Sequence, residues 1–567
     1  MNDLSMLPLD FAFVPKGTPM FSDLINQLLA DESLTDTRRR DMISGLRRIA
    51  KALNRAPEDV PAFGRWLQPR LDKLSPAAMG ISTKSWQNAV SDARSAMAQC
   101  GVIERRRGRP SDLSSDWHAL WKTVLASDDP TVKLSVSRFV YFLSHHDVAP
   151  SEVRDEHALA FLEALELNEI YKSPETAYRA AVNGWNLAAT RFPTWPQTQL
   201  SLPHRKTIHK LADDDLPQAL HTDLDALIHR LAHPDPLAED GRVRALRPVT
   251  LKQYRGQMIR FASELVHSGM PTEDITDVAT MLDPEVAERG LRQMLTRTDN
   301  KSNKLISEMA GLLRNLSKIT RQPEEVQKAL KKLAAKLALA PQRGMTRKNR
   351  DRLRVLQDEA TMRRLLLLPE QLFNAPPAGK DNAYTKALAR EDAVAIAILL
   401  YCPIRIKNLA GIHLEQNLHR PGDGRVFLVL TEGEVKNERS MEFDLPPDLI
   451  RMIDAHVKTR SPELCPAGTP WLFPRRDGAG SCHSGMLATR ICKRIRKTTG
   501  IEMNAHLFRH FAVMNWLDAN PGGYEVARRL LGHSEVSHTI NMYSGLEVKA
   551  ATKQFGELVT AKKWGRK

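Results

Sequence analysis

Over its first 340 residues the chain places apolar side chains three and four positions apart, which is the signature of amphipathic helices. Met42, Ile43, Leu46, Ile49, Ala50 and Leu53 share one helical face, and Leu305, Ile306, Met309, Leu312, Leu313, Leu316 and Ile319 repeat the pattern. No period-2 alternation sustains a sheet in this region.

Three segments resemble one another. Thr37, Thr131 and Thr250 each open a helix as an N-cap-type residue. These helices run 20, 19 and 21 residues, to Pro57-Glu58-Asp59-Val60, Pro150-Ser151-Glu152-Val153 and Pro271-Thr272-Glu273-Asp274-Ile275. A proline–acid–aliphatic turn is a helix start signal, and an amphipathic helix closes each unit: Trp86 to Val102, Thr176 to Phe192, and Ser302 to Ile319. Two readings stay open, coincidence in an all-helical chain or three consecutive copies of a small helical module.

Breaks at Glu104-Arg105-Arg106-Arg107-Gly108-Arg109-Pro110 and Phe192-Pro193-Thr194-Trp195-Pro196 separate the units. The domains therefore read as 1–110, an N-terminal helical module and candidate DNA binder; 111–212, a second helical module; 213–340, a third; 341–356, a basic linker; and 357–567, a C-terminal domain. In the linker Arg343, Arg347, Lys348, Arg350, Arg352 and Arg354 crowd after a Pro-Gln-Arg-Gly turn. They are expected to contact phosphates, because such a linker can follow a DNA backbone without a fixed fold.

The charge balance agrees. Among 567 residues Lys and Arg exceed Asp and Glu by 15, an excess that favours a polyanionic partner, with nucleic acid first. With 42% hydrophobic and 26% charged residues, long disorder is excluded. No apolar run reaches the roughly 18 residues of a membrane helix, so no membrane partner is expected. Asp3 and Asp10, with no basic stretch before the first apolar residues, argue against a secretory signal. Five cysteines without a CxxC pair fit a reducing, cytoplasmic setting and neither a disulfide framework nor structural zinc.

Beyond residue 355 the texture changes. Ala393 to Leu400 reads as an apolar helix, and Arg425 to Leu430 with Ser440 to Leu445 reads as a β-hairpin. Helices are expected over Pro447 to Thr459, Leu487 to Thr498, His506 to Asp518, Tyr524 to Leu531, and after Gly545. Four pieces of this segment carry chemistry in combination. They are Arg405 at a helix start, Lys436 beside the hairpin turn, His506-Leu507-Phe508-Arg509-His510, and Leu531-Gly532-His533 followed ten residues later by Tyr543. Two arginines, a lysine, two histidines and a tyrosine match the needs of phosphoryl transfer to a tyrosine: cations for phosphate oxygens, a proton donor for the leaving group, and a hydroxyl nucleophile.

That order resembles the catalytic domain of the tyrosine recombinases, the phage integrase family, from Glu370 to Val559. His506-Leu-Phe-Arg509-His510-Phe-Ala and Leu531-Gly532-His533-Ser534 look like its two most specific sequence boxes. The resemblance implies a mainly α, multi-domain protein in which helical core-binding-type modules precede an α+β catalytic domain with a small antiparallel sheet. The unit from Asp213 to Leu339 is the best match to a core-binding domain. By the same resemblance Arg405, Arg509 and His533 grip the scissile phosphate, Tyr543 attacks phosphorus, Lys436 protonates the departing 5′ oxygen, and His506 is base or orienting partner for the tyrosine. The implied product is a 3′-phosphotyrosyl link formed without metal or nucleotide cofactor. The implied partners are double-stranded DNA with specific recombination sites and a homotetramer on that DNA, nucleoid-associated in the cytoplasm. Participation of accessory proteins is left open. A mobile element's integration, excision or transposition is the implied process.

Two departures stand out. Asn408 occupies a place where the family commonly carries a carboxylate, and the His533–Tyr543 spacing is one longer than the commonest. Lys407 and neighbouring basic residues compete with Lys436, since hairpin registers slip. The alternatives are a DNA-binding architectural or regulatory protein with an inactive recombinase-like site, and type IB topoisomerase-like relaxation.

Overall fold

The computed structural model describes residues 11–564 apart from 12, 107, 128–129, 204–208, 236–244, 342–343, 376–382, 436–437 and 544–547. Its described residues divide into two compact units, one of Met1–Leu202 with Arg343–Lys567 and the other of Pro203–Gln342. None of its described helices is long and apolar enough to cross a membrane.

The first unit starts with two helical modules. One holds α1 (Phe21–Ala30), α2 (Asp36–Ala52), α3 (Gly64–Leu71) and α4 (Thr83–Gln99). The next holds α5 (Ser115–Ala126), α6 (Pro130–His145), α7 (Asp155–Asn168) and α8 (Pro174–Arg191). The second unit contains α9 (Gln218–Ala232), α10 (Pro248–His267), α11 (Val278–Leu282), α12 (Pro284–Thr296), α13 (Lys304–Ile319) and α14 (Glu324–Leu337). Each of the three has its own apolar core. Close helix contact needs small residues: a Cβ on Gly45 of α2 would lie 2.6 Å from the Ala93 backbone nitrogen of α4.

The repetition reaches into these cores. In each module the turn after the long helix is a short 3₁₀ segment, Pro57–Asp59, Pro150–Glu152 or Thr272–Asp274. The aliphatic residue that follows, Val60, Val153 or Ile275, is fully buried. Counting back from it, buried residues recur 17, 14 and 10 positions earlier: Ile43, Leu46 and Ala50; Val136, Phe139 and Leu143; Met258, Phe261 and Leu265. The helix starts differ from expectation. Thr35, not Thr37, caps α2 by accepting from the Arg38 N–H, while α6 and α10 begin at Pro130 and Pro248, leaving Thr131 and Thr250 inside. Proline at the first helical position is already set for the helix and needs no threonine cap.

The rest of the first unit is the C-terminal α+β domain. Its helices are α15 (Arg347–Val355), α16 (Glu359–Leu366), α17 (Leu368–Phe373), α18 (Ala383–Tyr401), α19 (Ile406–Ala410), α20 (Pro447–Lys458), α21 (Ser484–Thr499), α22 (Leu507–Ala519), α23 (Tyr524–Leu531), α24 (Val536–Tyr543) and α25 (Val548–Trp564). Strands β1 (Leu418–His419), β2 (Phe427–Leu430) and β3 (Met441–Asp444) form an antiparallel sheet in sequence order, with Leu418 opposite Leu428 and Leu430 opposite Met441. Within the basic segment, Arg347–Val355 forms a helix, α15. Thr346 caps α15, and Met345, Leu353 and Leu356 are buried in the C-terminal core, so the cations stand on the outer side of a fixed helix. Arg352 pairs with Glu502 at 3.0 Å, and Arg347 and Arg354 lie 3.8 and 3.4 Å from Asp351. Arg350 donates to the Met345 carbonyl, Lys348 belongs to the same helix, and Arg343 lies outside the described residues.

Candidate active site

The site is built on α18. Its residues from Glu391 to Leu399 are buried, and Glu391 and Asp392 at 0% exposure are matched by Arg490 and Arg494 of α21. Buried carboxylates without such partners would cost several kcal/mol, about 3–5 when one partner is removed. These ion pairs fix α18, and the chain leaving it turns through buried Pro403 and Ile404 into Arg405, the N-cap of α19.

Arg509, one turn into α22 and 3% exposed, ties the cleft together. Its Nη1 donates to the Pro403 carbonyl at 2.6 Å and its Nη2 to the Leu531 carbonyl at 2.7 Å. One guanidinium thus holds both the loop that carries Arg405 and the loop that carries His533. Burial first, and then the charge of Arg405, push Arg509 down to about 10, so it stays a cation at neutral pH. Burial lowers Arg405 as well.

His533 follows Gly532, which closes α23 with a φ of +61° in the left-handed region. That backbone conformation is what favours glycine, since the atom a Cβ would meet, the Met441 sulfur at 2.8 Å, lies at the end of a flexible side chain that can move aside. His533 Nδ1 is 3.0 Å from the buried Thr539 hydroxyl. Burial, then Arg509, His538, Arg405 and His506, push His533 down to about 4. It is a neutral imidazole at physiological pH.

Tyr543 ends α24 and is 2% exposed. Its hydroxyl is 2.9 Å from Nδ1 of His510, and the rings meet edge to face. Burial pushes the phenol up to about 12, against the opposing pull of Arg509. His510 itself is held down at about 3, by burial first and then by His506, Arg509 and His533. The tyrosine's bonded partner is therefore His510. The ring of His506 stands 4.7 Å from that of His510, at the mouth of the cleft, lowered by desolvation and then by Arg509 and Arg405. A signal for His510 was present, because His506 and His510 are four apart on one helical face.

Arg405, His506, Arg509, His533 and Tyr543 thus line one open cleft of about 400 Å³, with His510 between them. Lys436 lies outside the described residues. Its hairpin is held by Asn408, whose Nδ2 donates to the Glu434 carbonyl at 3.0 Å, while Glu434 accepts from the Thr431 N–H and Asn417. A carboxylate at 408 could not donate that bond. Among the described residues no group of three or more His, Cys, Asp or Glu is placed to hold a metal ion.

Two mutually repelling guanidiniums and a neutral imidazole facing a buried phenol form a receptor for a tetrahedral anion within reach of a hydroxyl. Residues 370–549 match the model of the phage integrase family. No curated protein matches the chain. Similar solved structures include XerH site-specific recombinase bound to palindromic difH substrate in a post-cleavage complex, at 10% identity and a TM-score of 0.35, covering 63% of this chain and 99% of that one. XerH in its pre-cleavage difH complex follows at 9% identity and 0.31, covering 56% and 89%. XerA recombinase follows at 14% and 0.24, covering 56% and 92%. The family match contains every residue of the cleft: it is residues 370–549 that are similar to the phage integrase family, the tyrosine recombinases.

Proposed function

We propose that this chain is a site-specific DNA recombinase that cleaves and rejoins strands through a 3′-phosphotyrosyl intermediate. The observation that carries the reading is the convergence of Arg405, Arg509, His533 and the Tyr543 hydroxyl on one cleft. A phosphodiester seated between the two guanidiniums relieves their repulsion. It also removes the cationic part of what depresses His510, leaving burial as the remaining cause.

His510, in the tautomer protonated on Nε2, then accepts the phenol proton as the Tyr543 oxygen bonds to phosphorus. The bond from phosphorus to the 5′ oxygen breaks, and that oxygen takes a proton from Lys436. Arg405, Arg509 and His533 donate to the equatorial oxygens as charge builds on them. Phosphodiester energy is kept in the tyrosyl link, and the reverse attack by another strand's 5′ hydroxyl rejoins DNA. The biological setting is integration, excision or transposition of a mobile element.

The helical module of residues 213–340 acts as a core-binding domain, and the cations of α15 contact phosphates. The assembly on DNA is a tetramer, with α25 as the exchanged element, since Phe555 and Leu558 on it stand 66% and 51% exposed. Its Val548 and Ala551 side chains lie outside the described residues.

The test is a suicide substrate drawn from the DNA flanking this protein's own gene. The natural chain is expected to accumulate a covalent adduct, and Tyr543→Phe to bind the same DNA without forming one. An adduct that persists in Tyr543→Phe sinks the assignment.

A further inference from the structure

The first helical module carries a surface that its two counterparts lack. Helix α2 buries Met42, Ile43, Leu46, Ile49 and Ala50, and turns Arg40, Arg47, Arg48 and Lys51 outward, all four exposed. Arg40, Ser44, Arg47 and Lys51 are spaced four, three and four apart, so they share one face, and Arg48 stands beside them. With the exposed Leu29 of α1 they line a groove of about 460 Å³. From Arg40 to Lys51 the row extends about 16 Å along the helix axis.

The charge on this face is unbalanced. Arg38 is engaged by Asp92 and Arg39 by Asp36, and Arg40 lies 3.8 Å from Asp41. Arg47, Arg48 and Lys51 have no ion-pair partner among the described residues. Like charges four apart weaken a helix, so folding alone gives no reason for Arg47 and Lys51 to stand there.

The repeat supplies the control. Counting back from the buried aliphatic of the 3₁₀ turn, Arg47, Arg48 and Lys51 correspond to Val140, Tyr141 and Ser144 in the second module, all buried. In the third they correspond to Ala262, Ser263 and Val266, of which the first two are fully buried. There the face is closed by the chain entering the module: Ser144 Oγ accepts from the Ser114 N–H, and Ser263 Oγ from the Leu211 N–H. The same architecture therefore accepts a covered, uncharged face at these positions, and among the described residues the first module instead leaves its cations exposed.

We infer that the α2 face, with Arg40, Arg47, Arg48 and Lys51, is a second DNA-binding surface that grips duplex phosphates away from the cleavage cleft. A row of cations on an exposed helix suits an extended polyanion better than a small anion, which two of them would satisfy. The inference rests on the DNA-recombinase reading for its choice of polyanion.

The experiment measures binding of full-length protein to a random-sequence fluorescent duplex as a function of salt. Arg47→Glu/Arg48→Glu/Lys51→Glu and the neutral Arg47→Gln/Arg48→Gln/Lys51→Gln are compared with the natural chain, circular dichroism confirming that each is folded. Each lost phosphate contact lowers the slope of log affinity on log salt by about 0.9, so both variants are expected to lose about 2.7 of slope, and at least about tenfold in affinity at low salt. Unchanged slopes in both folded variants overturn the inference and point to an acidic protein as the occupant. The readout does not involve Tyr543. A chain that forms no adduct but shows the slope change loses only the recombinase reading, and an adduct with unchanged slopes loses only this one.

Discussion

At the scale of single residues, the histidines of the cleft are held neutral by the environment that makes it a phosphate receptor. His510 and His533 sit at about 3 and about 4, against an ordinary 6.5. As pH falls below 6.5 the unfolded chain takes up protons at these positions and the folded chain does not, so stability is lost on the acid side and is fully present above 6.5. In His510→Gln the loss between pH 6.5 and 4 is expected to be shallower, by up to about 1.4 kcal/mol per pH unit. Urea denaturation at successive pH values measures it, and curves parallel to the natural chain's would show that His510 does not set the slope. Asn408 invites a second substitution. Asn408→Asp restores the carboxylate common in the family but sets it against the Glu434 carbonyl that now accepts from Asn408. A loss of about 1–2 kcal/mol is expected, read as a lower urea midpoint; a gain would mean that the hairpin does not depend on that bond.

At the scale of elements, what the sequence announced depended on how strongly packing imprints a period. The hairpin expected over Arg425–Leu430 and Ser440–Leu445 forms as β2 and β3, and Tyr524–Leu531 is a helix with those bounds. The two-residue β1 left no alternation to read. Helix α24, which presents Tyr543, has eight residues and buries only Thr539 and Tyr543, too few for a stripe. In α15 the dense cations masked the Leu353–Leu356 pair that anchors it. The cleft was legible because its chemistry is carried by rare residue types in fixed order. His510 went unassigned because its role depends on where α24 delivers a hydroxyl, which only packing decides.

At the scale of the molecule, the first module meets the C-terminal domain directly. Ser75 Oγ donates to the Arg496 carbonyl at 3.3 Å, and Arg496 Nη2 donates to the Asp72 carbonyl at 3.3 Å. Gly500, at φ +77°, lies so close that its Cβ would fall 2.5 Å from that of Ala78. Gly500→Ala is expected to push the 72–80 turn off α21 and to raise protease cleavage there severalfold; an unchanged digestion pattern would show that the contact is incidental.

This contact joins residues 421 positions apart in the chain. At about 5–20 residues per second of translation, the ribosome delivers Arg496 roughly 20–80 s after Ser75. Until then the turn beside Ser75 waits without its seat, and a nascent chain stalled before α21 would keep its amino-terminal bundles folded but undocked.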